Sequence, residues 1–228
     1  WFSGGFNDLD QWVRTWGFSP IVAGLLYIGI LLLGRNFLML GFRIYSTFVI
    51  EERFSFNKTD GPTFIWDLCK SFIVSLVLGA PILGLVFWFF EMAGKWAPFF
   101  CWSAFSLYLL IIQFIAPTWI MPLFYKFTPI ENGPLKETLL AYARSVNFSL
   151  TQIYIIDGSR RSTKANAFFT GFGNHKRVVL FDTLIEQHSI SEMEAVLAHE
   201  IGHYKKKHIL KNLIFSIIYM GFIFYCLS

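Results

Sequence analysis

The sequence predicts an all-α membrane bundle with an inserted α+β domain, and three observations carry that expectation. Of the 228 residues, 55% are hydrophobic and 19% aromatic, only 15% are charged, and the mean hydropathy is +0.52. The apolar residues gather in four long segments. Between the third and the fourth lies a polar stretch with mixed helix and strand periodicity. Soluble domains carry about 25% charged residues. A chain this apolar has too much surface for one water-bounded core, so a membrane is the expected solvent.

The first segment runs from about Pro20 to Tyr45, the second from about Phe72 to Phe90, and the third from about Trp96 to Met121. The fourth begins near Ile209. A span needs ~20 apolar residues, which each of these meets or nearly meets, and Trp and Tyr at the segment ends suit an interfacial belt. The expected organisation is therefore a transmembrane region over 1–121, a polar domain over 122–208, and the start of a further span over 209–228. Arg35 interrupts the first segment. A cation in hydrocarbon costs at least ~2.5 kcal/mol, so either Arg35 faces a polar interior or the span ends near Leu33 and the side chain snorkels. Arg43, Arg53, Lys58 and Lys70 crowd the first connection, whereas Lys95 stands alone in the next. The basic side is the cytoplasmic one, which places the polar domain there.

Cys69, Cys101 and Cys226 are widely spaced in apolar sequence and are expected to be small buried hydrophobes. The chain opens at Trp1 with nothing resembling a signal peptide, and the expectation is an internal piece of a longer protein.

Within the polar domain, Leu135, Leu139, Leu140 and Ala143 recur at helical intervals. The run "TQIYIID" alternates as a strand, and "NAFFTGFGNHKRVVLFDTLI" predicts two strands joined by a Gly-Asn turn. "SISEMEAVLAHEIGHYKKKH" predicts a helix opened by a capping box of Ser191 with Glu194, running with little break into the fourth span.

That helix carries the chemistry. His199 and His203 stand four residues apart, so their rings leave one helix face about one turn apart, the geometry two imidazoles need to hold one zinc ion. Glu200 falls beside the metal as a general base, taking a proton from a zinc-bound water that attacks a peptide carbonyl. Ala198, Ile201 and Gly202 fill the remaining positions, and the small Gly202 is expected to allow close packing. A third ligand is needed. His208 lies five residues past His203, about 140° round a continuous helix, out of reach of the same site. A longer HExxHxxGxxH pattern fails as well, because Lys206 and Ile209 occupy its Gly and His positions. The remaining sources are an upstream acid, such as Asp157 or Glu194, or sequence beyond Ser228, which is the favoured source.

Four stretches in order resemble the type I CAAX prenyl proteases: "STFVIEERFSFN" (46–57), "APTWIMPLFYKFTPI" (116–130), "DGSRRSTKANAFFTGFGNHKRVVLFDTLI" (157–185) and "EAVLAHEIGHYKKKH" (194–208). The resemblance runs from roughly Arg43 to the C-terminus. It implies an integral-membrane zinc metalloendopeptidase with membrane helices around a large chamber and a zincin-like catalytic domain at the cytoplasmic face. It also implies removal of the last three residues of prenylated C-a-a-X proteins. His199 and His203 match the family's zinc ligands and Glu200 its catalytic glutamate. Asn166 matches an active-site asparagine on the strand beside the substrate, so Asn166, Ala167 and Phe168 are the expected substrate-binding residues. The family's third ligand is a later glutamate in an E-x-x-x-D pattern, absent here, as are two earlier spans and a final one. The expected partners are prenylated CAAX proteins or membrane-protein substrates and the bilayer, with no nucleic acid. The expected membrane is the endoplasmic reticulum or inner nuclear membrane in a eukaryote and the inner membrane in a bacterium.

The same residues allow rival readings: a quality-control metalloprotease for misfolded membrane proteins, a catalytically incomplete fragment, or a scaffold with a vestigial metal site. From the residues alone, an edge strand around Asn166 to Phe169 accounts for backbone binding of a peptide. Lys205, Lys206 and Lys207 suit lipid headgroups. His175, His188, Arg160 and Arg161 are expected in solvent, and Glu51 and Glu52 in pairs with nearby bases.

Overall fold

The computed structural model describes residues 4–170 and 176–227. The chain divides into two compact units. One comprises Trp1–Ile50, Ser71–Leu109 and Ile217–Ser228, and the other Glu51–Lys70 and Leu110–Ser216.

The first unit is helical. Helix α1 (Gly5–Arg14) is short, and α2 (Pro20–Tyr45) starts on a proline, whose fixed φ suits a first helical turn. Helix α2 runs straight through Arg35 and continues as a π-helical turn, Ser46–Glu51. Arg35 is exposed, with no hydrogen bond or ion pair among the described residues. Helix α3 (Gly61–Met92) passes through Pro81, and α4 (Ala97–Ile115) extends through a second π-helical turn, Ala116–Ile120. Within this unit the end of α9 (His208–Cys226) meets α4: the Trp102 indole Nε1–H donates to the Ile217 carbonyl at 2.8 Å. The same ring leaves no room at Gly221, where an added Cβ would lie 3.0 Å from Nε1. Among the described residues, four helical stretches are long and apolar enough to cross a membrane: Pro20–Glu51, Gly61–Met92, Gly94–Phe124 and His208–Cys226.

Two sequence expectations change here. The second span begins at Gly61, about three turns before its apolar core, because Asp60 caps it: Asp60 Oδ1 accepts the Thr63 N–H at 2.9 Å, with Pro62 in the first turn. Only Cys101 is buried, whereas Cys69 and Cys226 are exposed on their helices. In a span, an outward cysteine is in an apolar solvent without being inside the protein.

The second unit is the α+β insertion. After the single turn of α5 (Met121–Phe124), strands β1 (Phe127–Pro129), β2 (Leu150–Ile156), β3 (Ala167–Thr170) and β4 (Lys176–Phe181) form one sheet in the order β1-β2-β4-β3. β2 and β4 are parallel, and the outer pairs are antiparallel. β4 buries Val178, Val179 and Leu180 in succession, as a central strand covered on both faces does. Helices α6 (Pro134–Ser145) and α8 (Ile190–Lys205) pack together and close the core around Leu139, Ala143, Ile153, Val178, Met193 and Leu197. The short α7 (Asp182–Gln187) links β4 to α8. Both strands expected from "NAFFTGFGNHKRVVLFDTLI" are present as β3 and β4; the Gly-Asn turn between them, with His175, lies outside the described residues.

The capping box is real but sits two residues earlier than expected. "SISEME" contains S-x-x-E in two registers, and the helix uses the first. Ser189 Oγ accepts the Glu192 N–H at 3.4 Å, and Glu192 Oε2 accepts the Ser189 N–H at 2.7 Å. Nor does α8 continue into the span. It stops at Lys205, and Lys207 takes a left-handed φ of 55° before α9 begins at His208.

Candidate metal centre

Helix α8 is anchored by its apolar face. Met193, Leu197 and Ile201 are 1%, 1% and 3% exposed, spaced i, i+4, i+8 on the stripe that meets the sheet. His199 and His203 are thereby turned outward and are exposed, while Glu200 is half-buried. His199 Nε2 and His203 Nε2 stand 3.0 Å apart. Two nitrogens bound to one tetrahedral ion at ~2.0–2.1 Å are separated by roughly 3.3 Å, so the pair converges as two ligands of one ion would. Glu200 has no hydrogen bond or ion pair among the described residues, which leaves its carboxylate available to a water. Gly202 serves no packing role here, since a Cβ on it would meet nothing within 4 Å.

No group of three His, Cys, Asp or Glu side chains among the described residues is arranged to hold a metal. Asp157 is engaged elsewhere, its Oδ1 accepting the Lys126 N–H at 2.7 Å. Glu194 lies five residues before His199 on α8, about 140° round the helix. The donor set is two imidazoles, a half-site that fits zinc chemistry and calls for a third ligand.

His208 departs from its expected position. Its Nδ1 lies 2.8 Å from His203 Nδ1, with the two rings 82° apart. The turn at Lys206 and Lys207 ends the helix and swings the next residue back over His203. It does so on the side of that ring opposite Nε2, so His208 does not complete the half-site.

The expected substrate-binding residues lie at a sheet margin in contact with α8. β3 pairs only with β4, Ala167 opposite Leu180 and Phe168 opposite Val179, which leaves its other edge unpaired among the described residues. Ala167 is buried, Phe168 half-buried and Asn166 exposed. Asn166 Oδ1 accepts the Ala167 N–H at 2.9 Å, and the Asn166 carbonyl accepts from Phe181 N–H at 3.0 Å. This holds the residue at the strand entrance with its amide NH2 free of partners among the described residues.

The loop leading into β3 is held by a device not foreseen in the sequence. Arg161 Nε and Nη2 donate to the two carboxylate oxygens of Asp67 at 2.7 and 3.0 Å, with the guanidinium over the Tyr125 ring. The bound Asp67 carboxylate holds Arg161 charged more firmly than usual, against the opposing effect of burial. The Arg161 carbonyl accepts from Lys58 N–H and Thr59 Oγ1, and Thr163 N–H donates to the Phe56 carbonyl. Glu51 does pair with a base, Lys164 Nζ at 2.6 Å, whereas Glu52 accepts from Asn57 at 3.0 Å. Gly158 packs under Phe181 so closely that a Cβ there would come within 2.2 Å of the ring. Arg161 is thus no solvated loop residue; a half-buried partner 94 residues away claims it. Arg160 is exposed as expected, with a long contact to Thr63 Oγ1. His188 is near Glu192 at 3.7 Å. Lys205 Nζ donates to the Val146 carbonyl at 2.9 Å, so at least one of the three lysines has a protein partner.

Comparison with known proteins covers nearly the whole chain. Residues 1–126 match the family model "CAAX prenyl protease N-terminal, five membrane helices", and residues 129–227 match "Peptidase family M48". The chain belongs to the CAAX prenyl protease family. It is 41% identical to CAAX prenyl protease 1 of Saccharomyces cerevisiae over 93% of its own length and 47% of that protein's. It is 44% identical to the probable CAAX prenyl protease 1 of Schizosaccharomyces pombe over 84% of its length and 40% of that protein's. A crystal structure of S. mikatae Ste24p superposes with a TM-score of 0.87 at 40% identity, covering 92% of this chain and 49% of that one. The chain thus spans about half the length of the relatives it matches. The resemblance and the fold class expected from sequence both hold, and the spans together with the family make this an integral membrane protein.

Proposed function

We propose that this chain supplies the catalytic helix and the substrate-binding strand of a zinc metalloendopeptidase that removes the C-terminal three residues of prenylated CAAX proteins. The observation that carries the reading is the convergence of His199 Nε2 and His203 Nε2 at 3.0 Å on a helix that lies beside a sheet edge unpaired among the described residues. The names of the related proteins support the substrate class.

In this reading His199 and His203 hold one zinc ion together with a third ligand that no described residue supplies. When bound, zinc supplies Lewis-acid activation of water and of the scissile carbonyl. Glu200 takes the proton of the attacking water and returns it to the departing amine. The substrate lies extended along β3, its backbone paired with the free edge beside Ala167 and Phe168, which tolerates varied side chains. The Asn166 amide donates to the substrate backbone or to the oxygen that gains charge on attack. The domain faces the cytoplasm, the side of the basic first connection.

The test is cleavage of a farnesylated C-a-a-X peptide, and of the same peptide without the lipid, by the full-length protein in detergent. Cleavage that depends on the farnesyl group and is lost in Glu200→Gln, with zinc content retained, is the expected result. Equal rates on both peptides would replace the substrate assignment with general membrane-protein proteolysis. Undiminished cleavage by Glu200→Gln would remove the proposed base.

A further inference from the structure

We propose that His208 is a positioning residue for His203: it accepts the Nδ1–H of the His203 ring and thereby holds that ring in the tautomer whose Nε2 lone pair is free for a metal. The inference rests on the metal-binding reading above and adds a residue that lies outside the HExxH motif.

The argument starts from proton counting. A neutral imidazole has one N–H and one lone pair, on opposite sides of the ring. His203 Nδ1 and His208 Nδ1 are 2.8 Å apart, which requires one to donate and the other to accept. A ring that offers Nε2 to a metal carries its proton on Nδ1. His203 is then the donor and His208 the acceptor, with the His208 proton on its own Nε2. The opposite assignment would put a proton on His203 Nε2, pointing at His199, and would block the ligand. The 82° angle between the rings is an edge-on approach of the kind that brings a lone pair onto an N–H.

The chain is bent to make this contact. On an unbroken helix His208 would stand about 140° away from His203. Instead α8 ends in backbone bonds from Lys206 N–H to the Gly202 carbonyl and from Lys207 N–H to the Tyr204 carbonyl, at 3.0 and 2.9 Å. Lys207 adopts a left-handed φ of 55°, a conformation that favours glycine or asparagine and that a lysine takes at a cost. Only after that turn does α9 begin, with His208 as its first residue. The His203 ring needs an outside partner because it is exposed, without the packing that fixes a core side chain. Ligating histidines generally donate their second nitrogen to such a partner, and losing the partner costs ~10–100-fold in metal affinity. His199 has no counterpart on its Nδ1 among the described residues, so His208 is the one orienting contact the pair receives from them.

The experiment compares wild type, His203→Ala, His208→Leu and His208→Asn in the full-length protein, purified in detergent. Zinc affinity is measured by competition with a chelator, and thermal unfolding is followed on the metal-free forms. His203→Ala should lose zinc. His208→Leu, which has no acceptor, should bind zinc ~10–100-fold more weakly. His208→Asn, whose Oδ1 falls close to the place of the imidazole Nδ1, should recover most of that loss. Both His208 variants should unfold, metal-free, at the wild-type temperature. Wild-type affinity in His208→Leu would overturn the proposal. So would an Asn variant no better than Leu, or an affinity loss matched by a lowered metal-free melting temperature. Zinc binding by His203→Ala at the wild-type level would instead remove the metal site on which the proposal stands.

Discussion

Leu139 is 0% exposed in the unit of residues 51–70 and 110–216, while Leu107, in the unit that includes α2 and most of α3 and α4, is 59% exposed. The contrast is general. Val178, Leu180, Met193 and Leu197 are 1% exposed, but Phe37 is 77%, Phe42 71% and Val77 63% exposed. The side chains have the same chemistry and face different solvents. In water, leaving a leucine exposed forfeits roughly 1.5–3 kcal/mol, so the α+β unit must close a core. In lipid the tails are as apolar as leucine, burial gains nothing from solvent, and a helix can present large side chains outward all round. Precise packing is therefore concentrated in the unit that carries the candidate centre, where α8 has to be held still.

The comparison can be tested by making similar changes in both regions. Leu139→Ala removes a core side chain and leaves a cavity, so it should cost about 2–5 kcal/mol, read as a lowered unfolding midpoint of the α+β unit. Asp67→Asn leaves the Arg161 charge without its counter-ion. The expected loss is about 2 kcal/mol, with faster hydrogen exchange over residues 158–163. That would separate the loop's ion-pair anchor from the apolar core.

Ser189→Ala removes the cap of α8 and should cost about 1 kcal/mol. It should also change the acid response. The backbone and side-chain hydrogen bonds from Ser189 hold the Glu192 carboxyl below the usual carboxylate range, with a smaller contribution from His188. A carboxylate with a depressed folded pKa adds stability above its unfolded pKa and loses it as pH falls through the folded value. Wild type should therefore lose part of its stability as pH drops below about 4.5, and Ser189→Ala should lose less over the same window. Leu107→Ala deletes the same atoms as Leu139→Ala from a lipid-facing position and should stay within about 0.5 kcal/mol. A loss of several kcal/mol there would show that Leu107 packs against protein in the intact molecule.

Features that depend on neighbours along the chain were legible in the sequence. The spans follow from apolar length, the helix α6 from the spacing of Leu139 and Ala143, and the pairing of His199 with His203 from their i, i+4 separation on α8. Where two local registers competed, as in "SISEME", sequence could name the capping box without choosing its start. The beginning of α3 was hidden for a related reason. Hydropathy marks where lipid begins, whereas the "DGPT" at 60–63 marks where the helix does, and that signal was there to be used.

What remained hidden requires the chain to return on itself. Asp67 and Arg161 carry no mark of each other across 94 residues, since an exposed ion pair and a half-buried one are spelled with the same letters. The position of His208 failed through an assumption of continuity: an unbroken helix carries it away from His203, and one left-handed lysine, which no composition rule favours, brings it back. The sequence by itself determined the apolar or polar character of each segment and the helix that carries the two imidazoles, because hydropathy and helical periodicity are properties of neighbouring residues. The tertiary structure alone decided which strand lies beside that helix, what anchors the loop before it, and which face of His203 meets His208. Those depend on sheet order and on one backbone torsion, and neither is encoded in any short stretch of residues.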